Sequence, residues 1–550
     1  MERFVGRAMR GVVLMCVLAL PAALAQPRAA PEVTDVLPYG TAVYLRLSNL
    51  NRVYAAMEVS GFKSALKKAI VGENPALAIE AEVWDKVLQQ VQAAHVCLYD
   101  FAVFEHEAVH LDLLVILEGQ LDPDPRQWVS PLLMPLLRPA GALGETQIYE
   151  VWHEEMREEA PIQILLAGLP GRFLISTDRM LLEGVLEAMA AGRTRPLSAN
   201  PEFQLAVEGQ TAHDVLAYVS VPHLLRSLDW SVEHGDRDEL RAVESVLHLK
   251  DLVCGSWSQD FAGSVASVRV VMNPDGQLFR LLALPAAARK APDFVPEDVL
   301  MLACANIGDG KATWQAVREY LFSTLVSLSE VNSQEGFDQQ LAEAEKELGV
   351  RFEEIAAAVS GELGLAFAGP DPDRMVLFAF ARDAAEAGRI LQAIENAAGP
   401  GPRHATEDYR GVKLHIVGGE NYETLVWALV DKCAFGGPRS EVIKACVDAR
   451  QDGKPLSGSA PYRQVYDNLH AQTAGTFYLN LDALASVTGM ELGELVPPLF
   501  AEGLRGVALG ASIAAQDGMV DVRIASSRPL DPVAFFTQAR AFVERGSGAW

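Results

Sequence analysis

The sequence predicts an α+β fold built from two tandem copies of one module, each with an antiparallel or mixed sheet and helices packed on one face. Three observations lead to this prediction. Short apolar runs alternate with polar residues at the spacing of β-strands. Segments with helical periodicity separate these runs, as in α+β proteins. The second half of the chain repeats the order of strands, turns and helices found in the first.

The first residues have the pattern of a secretory signal peptide. Arginines precede the apolar run Gly11–Leu20, and the small-residue site Ala23-Leu24-Ala25 follows it. We therefore expect residues 1–25 to be removed after Ala25. The apolar run is shorter than the ~20 residues that span a bilayer, so we expect a periplasmic or secreted protein and not an integral membrane protein.

The charge of the chain excludes one class of partner. The chain has 46 basic and 72 acidic residues and a net charge of −26. Loss of residues 1–25, with three arginines and one glutamate, leaves 43 basic and 71 acidic residues and a net charge of −28. An acidic surface repels phosphate backbones, so nucleic acid is not an expected partner. The acidic residues are spread along the chain, as expected for solubility.

The opening strand occurs twice. Leu37–Leu47 contains an alternating apolar run, and Val295–Leu302 restarts it. Each copy then has a strand, a tight turn and a strand, at Ala167–Ile175 and at Ala428–Gly436. This correspondence is the basis for predicting two copies.

Helices and turns repeat as well. After each strand pair comes a helix with an apolar stripe, which ends at Gly192 in the first copy and at Gly453 in the second. Downstream, Pro196 corresponds to Pro455, and a further strand in each copy contains Tyr218 or Tyr478. Glycine and proline residues therefore separate the helices and strands in the same order in both copies.

A predicted hairpin closes each copy. In the first, Val265–Met272 turns at Asn273–Gly276 into Leu278–Leu284; in the second, Ala508–Ala515 turns at Asp517-Gly518 into Met519–Ile524. The predicted organisation is a signal peptide at 1–25, an N-terminal linker at 26–30, a first copy at 31–285, a linker at 286–291, and a second copy at 292–550 that ends in a helix from Pro532 to Val543.

The opening Leu-Pro-x-x-Thr-x-x-Tyr-Leu-x-Leu-x-x-Leu, from Leu37 to Leu50, resembles that of a broad family of exported bacterial proteins of unknown function. Gly361–Phe367, Tyr409–Gly411 and Pro455–Ser457 are also similar to that family. The resemblance implies an exported α+β protein with a duplicated module. It carries over no catalytic residue.

One catalytic pattern occurs. His106-Glu107-Ala108-Val109-His110 fits the H-E-x-x-H signature of zinc peptidases, which needs a helix to bring both histidines to one metal. The flanking runs Val96–Phe104 and Val109–Leu117 are rich in β-branched and aromatic residues, so they predict strands. The corresponding turn of the second copy contains Pro370 and Pro372, which forbid a helix. We therefore predict a hairpin turn without a metal site.

Other candidate sites lack the required spacing. The acidic run Trp152–Glu159 has no glycine turn of the kind found in calcium loops. Gly308–Lys311 and Phe435–Pro438 do not complete a phosphate-binding loop, and Ser457-Gly458-Ser459 is not a nucleophile elbow. The sequence therefore predicts no catalytic, cofactor-binding or metal-binding residue, and no cofactor.

Five cysteines remain after the predicted cleavage. Cys97, Cys254 and Cys304 lie in apolar strand-like runs, so we predict buried, unpaired thiols. Cys433 and Cys446 lie on a strand and on the helix after it, which leaves both a disulfide and two free thiols open.

The leading hypothesis for function is a non-enzymatic exported scaffold or binding protein for an unknown envelope protein or ligand. The first alternative is an exported metal-dependent hydrolase that uses His106-Glu107-Ala108-Val109-His110. The second is a carrier of apolar ligands, which requires an enclosed apolar cavity of several hundred Å³.

Overall fold

The computed structural model describes most of the chain beyond residue 31. The described residues are 32–73, 85–87, 89–103, 109–129, 134–152, 163–193, 195–210, 213–231, 244, 248–327, 333–369, 371–397, 403–419, 422–488, 507–529, 532–533, 536–537 and 540. The predicted signal peptide and most of the predicted C-terminal helix lie outside them.

The described residues form one sheet of twenty antiparallel strands. In chain order the strands are β1 Val43–Leu47, β2 Val91–Val103, β3 Val109–Gly119, β4 Leu137–Leu143, β5 Thr146–Val151, β6 Ile164–Leu169, β7 Arg172–Ser176, β8 Val215–Ser220, β9 Leu252–Gln259, β10 Val265–Met272, β11 Met301–Asn306, β12 Val359–Phe367, β13 Met375–Ala381, β14 Arg403–Tyr409, β15 Val412–Gly419, β16 Tyr422–Val430, β17 Cys433–Gly437, β18 Gly475–Asn480, β19 Ala508–Gln516 and β20 Met519–Ser526. A sheet together with helices makes this an α+β protein, as the sequence predicts.

Helices connect many of the strands. Those with defined bounds in the described residues are α1 Val33–Val36, α2 Leu50–Val59, α3 Phe62–Glu73, α4 Arg179–Ala191, α5 Pro201–Val207, α6 Val221–Ser231, α7 Gln277–Leu282, α8 Gly310–Ser327, α9 Gln334–Leu348, α10 Phe352–Ala358, α11 Ala384–Ala397, α12 Ser440–Asp452, α13 Ala460–Tyr466 and α14 Leu481–Thr488. None of the described helices is long and apolar enough to cross a membrane.

The strand order is the same in the two halves of the sheet. The first half, β1–β10, pairs in the order β4-β5-β6-β7-β3-β2-β1-β8-β9-β10. The second half, β11–β20, pairs in the order β14-β15-β16-β17-β13-β12-β11-β18-β19-β20. The last strands of both halves, β10 and β20, pair with each other and join the halves into one layer.

Residues matched in the sequence occupy corresponding positions. Pro196 bridges to Pro38 in the first half, and Pro455 bridges to Pro296 in the second. Tyr218 lies on β8, and Tyr478 lies at the same point of β18. Both tyrosines are buried.

Helices pack on both faces of the sheet, so the prediction of one covered face is wrong. Val442 and Ile443 of α12 pack on the face that contains Ala428 and Phe435. Trp427 points to the opposite face, since successive strand residues alternate, and its indole donates to Glu395 of α11. The reason is that strands such as β16, which contains Leu-Val-Trp-Ala-Leu-Val, are apolar on both sides.

The hairpin predicted after β10 is also wrong, because Gln277–Leu282 is helix α7 and not a strand. Both edges of β10 are already paired, one with β9 and the other with β20. The Leu278 amide at the start of α7 donates to the carboxylate of Asp251. The hairpin of the second half, between β19 and β20, forms as predicted.

The linker between the halves is fixed to the second half. Ala287 pairs with Thr473 through two backbone hydrogen bonds. The buried carboxylate of Glu362 accepts from the backbone amides of Lys290 and Ala291, both at 2.6 Å. Burial raises the pKa of Glu362 above its ordinary value.

Candidate binding surface

An apolar row crosses one face of the second half and continues over eight neighbouring strands. We call it the apolar band. Its members are cross-strand neighbours, each directly opposite the next: Trp427, Gly436, Leu377, Leu365, Ala303, Phe477, Ala511 and Ile524. Strand alternation places all eight side chains on the face opposite Tyr478 and Phe435.

Three large side chains of the band are open to solvent, whereas Trp427 at its β16 end is buried. Leu377 is 49% exposed, Ile524 41% and Phe477 36%. Leu363 and Leu425, two residues along the strand from a band member and therefore on the same face, are exposed as well. Exposed large apolar side chains that adjoin one another are the feature that separates a binding surface from ordinary scattered exposure.

Small residues separate the large ones within the band. Ala303 lies between Phe477 and Leu365, Ala511 lies between Phe477 and Ile524, and no member carries a charge. This alternation leaves notches between the projecting side chains. A partner with apolar side chains can fill such notches as one layer of a core fills another.

Helices border the band at both ends. At the β20 end, Phe279 of α7 packs in one cluster with Val520, and Val522 adjoins the same cluster. At the β16 end, Glu395 of α11 accepts from the indole of Trp427 at 3.1 Å. The imidazole of His415 stacks on the same indole with ring centroids 3.8 Å apart. The open part of the band therefore lies between two helix-covered regions of the same face.

One helix near the band is strongly acidic. Helix α9 carries five acidic residues and one lysine in its fifteen positions. It packs against α11, and its Phe337 contacts Phe322 of α8. Helix α9 therefore places negative charge next to α11, the helix that borders the band at the β16 end.

A cavity of about 320 Å³ lies elsewhere, between the β12–β13 turn and the start of α12. Charged side chains line it, among them Asp298, Asp373, Arg374 and Arg439. Arg439 pairs with Asp373. The chemistry of this cavity does not match the apolar cavity that a carrier of apolar ligands needs.

A chain of polar side chains crosses the core of the first half. The hydroxyl of Tyr44 is 2.9 Å from Nδ1 of His95, whose Nε2 is 3.1 Å from Glu118. Arg172 donates to the other carboxylate oxygen of Glu118 at 2.8 Å. Burial acts to raise the pKa of Glu118, but hydrogen bonds from His95 and ion pairing with Arg172 hold it below its ordinary value.

The order Tyr-His-Glu could move a proton, but Tyr44 and His95 are closed to a substrate, while 29% of the Glu118 side chain is exposed. Tyr44 is fully buried against the ring of Phe203, and burial raises the pKa of its hydroxyl. The corresponding positions of the second half are apolar or glycine: Leu302, Gly364 and Phe380. The chain therefore satisfies buried polar groups and does not form an open site.

The H-E-x-x-H segment is described only in part. Strands β2 and β3 flank it and pair up to Val103 opposite Val109, as predicted from the flanking sequence. His106, Glu107 and Ala108 lie outside the described residues. His110 is in β3, so the helix that the zinc signature requires does not include it. Within the described part of the chain, no group of three or more His, Cys, Asp or Glu residues could hold a metal ion.

Some of the other features noted in the sequence, namely the acidic run, the glycine turns and Ser457, lie wholly or partly in the described residues. Most of the acidic run Trp152–Glu159 lies outside the described residues. Gly308 has a left-handed φ of 61°, as expected for a turn, and Gly310 begins α8. In the loop after α12, Ser457 donates to Asp293. Most of the predicted glycine turn Phe435–Pro438 lies in strand β17, and its Gly436 is a member of the apolar band. The structure brings none of the other residues named here to the band.

The cysteines are buried as predicted. Cys97, Cys254 and Cys304 are free thiols in the core, and Cys433 and Cys446 are also free and buried. Burial raises the pKa of Cys97 to about 12. Thiols in this state are poorly reactive, since the thiolate is the nucleophile.

Sequence reasoning missed the band, although part of the signal was present. The runs that contain Leu365, Leu377 and Phe477 are apolar at almost every position, which predicts strands buried on both faces. Whether a second layer covers such a face depends on distant connections, which one strand does not reveal.

Comparisons with known proteins add little to these observations. No protein-family model matches the chain, and no curated protein matches it. Solved structures of TP0453 in crystal forms IV, III and I match 48% of this chain and 89%, 91% and 90% of theirs. The sequence identities are 11%, 10% and 9%, and the TM-scores are 0.26, 0.26 and 0.24. A likeness this low carries no conclusion about function.

Proposed function

We propose that this protein is a non-enzymatic exported scaffold, built from two copies of one α+β module, that binds a macromolecular partner on its apolar band. Residues 1–25 act as a signal peptide, and the mature protein works in the periplasm or cell envelope. The single observation that carries the binding function is the exposure of Leu377, Phe477 and Ile524 in one row of a sheet face.

The two-copy proposal is supported by the identical strand order of the halves. Ten strands pair in the same sequence on each side of the β10–β20 junction. Corresponding loops also use corresponding contacts, since Ser198 donates to Asp35 and Ser457 donates to Asp293. Such agreement in turns and side-chain bonds is expected of repeated units.

A binding role is favoured over a hydrolase by the placement of reactive groups. Tyr44 and His95 are buried and closed to substrates, and His110 lies in a strand. An apolar, uncharged surface offers neither a nucleophile nor a general base. The surface offers shape and apolar area instead, which are the requirements of binding.

The test places a photo-crosslinking amino acid at Leu377 in one variant and at Met180 in another. Met180 is 81% exposed on α4, outside the band, so it controls for chance encounters. We expect one discrete adduct from position 377 in the exported fraction, identified by mass spectrometry, and none from position 180. Equal adducts from both positions, or none from 377, would reject binding at the band.

The same preparation tests export. Sequencing of the N-terminus should give Gln26 as the first residue of the exported protein. A chain that keeps residues 1–25 and stays inside the cell would contradict the proposed localisation while leaving the binding result unaffected.

A further inference from the structure

We propose that the occupant of the apolar band is a cationic amphipathic helix of a partner protein. This inference rests on the proposed binding function and names the class of partner. It follows from the backbone of the band, its dimensions and the charge around it.

The backbone of the band restricts the conformation of the occupant. Each band strand from β20 to β16 is paired on both sides, so its amide and carbonyl groups are used within the sheet. A segment lying on this face must therefore satisfy its own backbone hydrogen bonds. A helix does so internally, whereas an extended segment does not.

The dimensions of the band fit one helix. The exposed part of the band, from Leu377 on β13 to Ile524 on β20, crosses six strands spaced by about 4.8 Å and is roughly 24 Å long. A helix rises about 1.5 Å per residue, so a segment of roughly 16 residues spans it. The apolar face of such a helix projects side chains that can enter the notches at Ala303 and Ala511.

The exposed area argues against a second copy of this chain as the occupant. Leu363, Leu377, Leu425, Phe477 and Ile524 together expose on the order of 350 Å². A stable interface between globular proteins needs about 800 Å² from each partner. Two copies would also bring together two chains with net charges of −26, which repel each other.

The charge near the band indicates whether the bound helix is cationic or anionic. The band itself is neutral, so it selects apolar side chains without regard to charge. Helix α9, with five acidic residues and one lysine, packs against α11 at the β16 end of the band. Lysine or arginine on the sides of the bound helix that face away from the band would be attracted by the negative charge of α9.

The test uses full-length protein with Leu377→Cys, since the native described thiols are buried, and Met180→Cys as a matched exposed control. The probe is a synthetic 20-residue helix with leucine at positions i, i+3, i+4 and i+7 and lysine elsewhere. Two control peptides have glutamate in place of lysine, or the same leucines and lysines in scrambled order. The readout is the rate of alkylation at each introduced cysteine.

At a Leu/Lys peptide concentration about ten times Kd, we expect alkylation at Leu377→Cys to slow about tenfold. Alkylation at Met180→Cys should stay unchanged, and the two control peptides should protect neither site. Equal protection by the scrambled peptide would overturn the helical partner, and equal protection by the Leu/Glu peptide would overturn the charge preference. Protection without peptide that rises with protein concentration would show that a second copy occupies the band.

Ile524→Cys is the reserve variant on another strand of the band if Leu377→Cys does not fold. An absence of protection at both sites would overturn the helix proposal. It would leave the binding function standing if the crosslink from position 377 is still observed.

Discussion

In the first half, the chain covers the sheet face at β3, whereas in the second half the corresponding face at β13 is open to solvent. Val115 on β3 and Leu377 on β13 occupy corresponding positions, yet Val115 is 8% exposed and Leu377 49%. Val115 packs in a cluster with Leu50 of α2 and with Trp128 from the connection after β3. The strands are therefore equivalent, and the connections decide which face is covered.

The corresponding connections differ in where they go. After β3, the chain places Leu121 and Trp128 on the open side of the sheet before β4 begins. After β13, it enters α11, which packs on β16 and reaches Trp427 through Glu395. The same sheet can thus support a closed core in one half and an exposed surface in the other, without any change in strand order.

The largest difference in stability should come from placing a glutamate at position 115 in one variant and at the corresponding position 377 in another. Val115→Glu buries a carboxylate among apolar side chains, and we expect it to lower the free energy of unfolding by about 4 kcal/mol or more. Leu377→Glu keeps its carboxylate in solvent and should change stability by about 0.5 kcal/mol or less. Urea denaturation of both variants measures the difference.

Similar losses from both substitutions would mean that Leu377 is covered in solution, and the comparison between the halves would fail. The variant Met180→Glu, at an exposed apolar residue of the first half, gives the baseline for an exposed site. It should match Leu377→Glu in stability.

A second contrast concerns buried and exposed arginine. Arg172→Met removes a largely buried partner of Glu118 in the first half, and we expect a loss of about 2 to 3 kcal/mol. Arg410→Met removes a surface partner of Asp448 and Asp452 in the second half. Because solvent screens that network, we expect a smaller loss than for Arg172→Met. A larger loss for Arg410→Met than for Arg172→Met, measured by thermal and urea unfolding, would contradict this ranking.

Local sequence patterns predicted the fold where neighbours in the chain decide it. The turn at Gly171 and the turn at Asp517-Gly518 both adopt left-handed φ values, as their residues favour, and the strands around them form as expected. Cysteines in apolar runs were predicted to be buried for the same local reason, and Cys97 and Cys304 are.

Local patterns failed where distant residues decide the structure. The segment after β10 is apolar and follows a turn sequence, which favours a strand, but Asp251 accepts from the Leu278 amide and β20 already occupies the free edge of β10. The exposure of Leu377 is also decided at a distance, because its strand sequence does not reveal whether a segment like the one that contains Trp128 packs on it. Both failures involve contacts that lie far apart in sequence.

The contributions of Glu118 in the first half and Glu362 in the second half to the free energy of unfolding should change with pH in opposite directions. The pKa of Glu118 is lowered in the folded state, so its contribution to stability is present above its ordinary value of about 4.5 and is lost as pH falls through the folded pKa. The pKa of Glu362 is raised, mainly by burial, so its contribution is present below about 4.5 and is lost as pH rises through the folded pKa.

Unfolding free energies measured from pH 3 to pH 7 separate these contributions. Relative to Glu118→Gln, the unmodified protein should gain stability with rising pH; relative to Glu362→Gln, it should lose stability with rising pH. The test compares how the difference in unfolding free energy changes with pH, because each substitution also shifts the stability by a constant amount. Two slopes of the same sign would show that Glu118 and Glu362 do not differ in this way.

The smallest difference in stability should come from the residues that precede the corresponding helices α4 and α12. Asp178 caps α4 by accepting from the amide of Leu181 at 2.6 Å, whereas Arg439 at the same position before α12 makes no side-chain cap. We expect Asp178→Ala to cost about 1 kcal/mol, since an amide at the helix start loses its acceptor. Arg439→Ala should cost less than Asp178→Ala, because it removes only a solvent-exposed pair with Asp373. Urea denaturation of the two variants resolves this difference, and equal costs would mean that Asp178 contributes through surface charge and not through the cap.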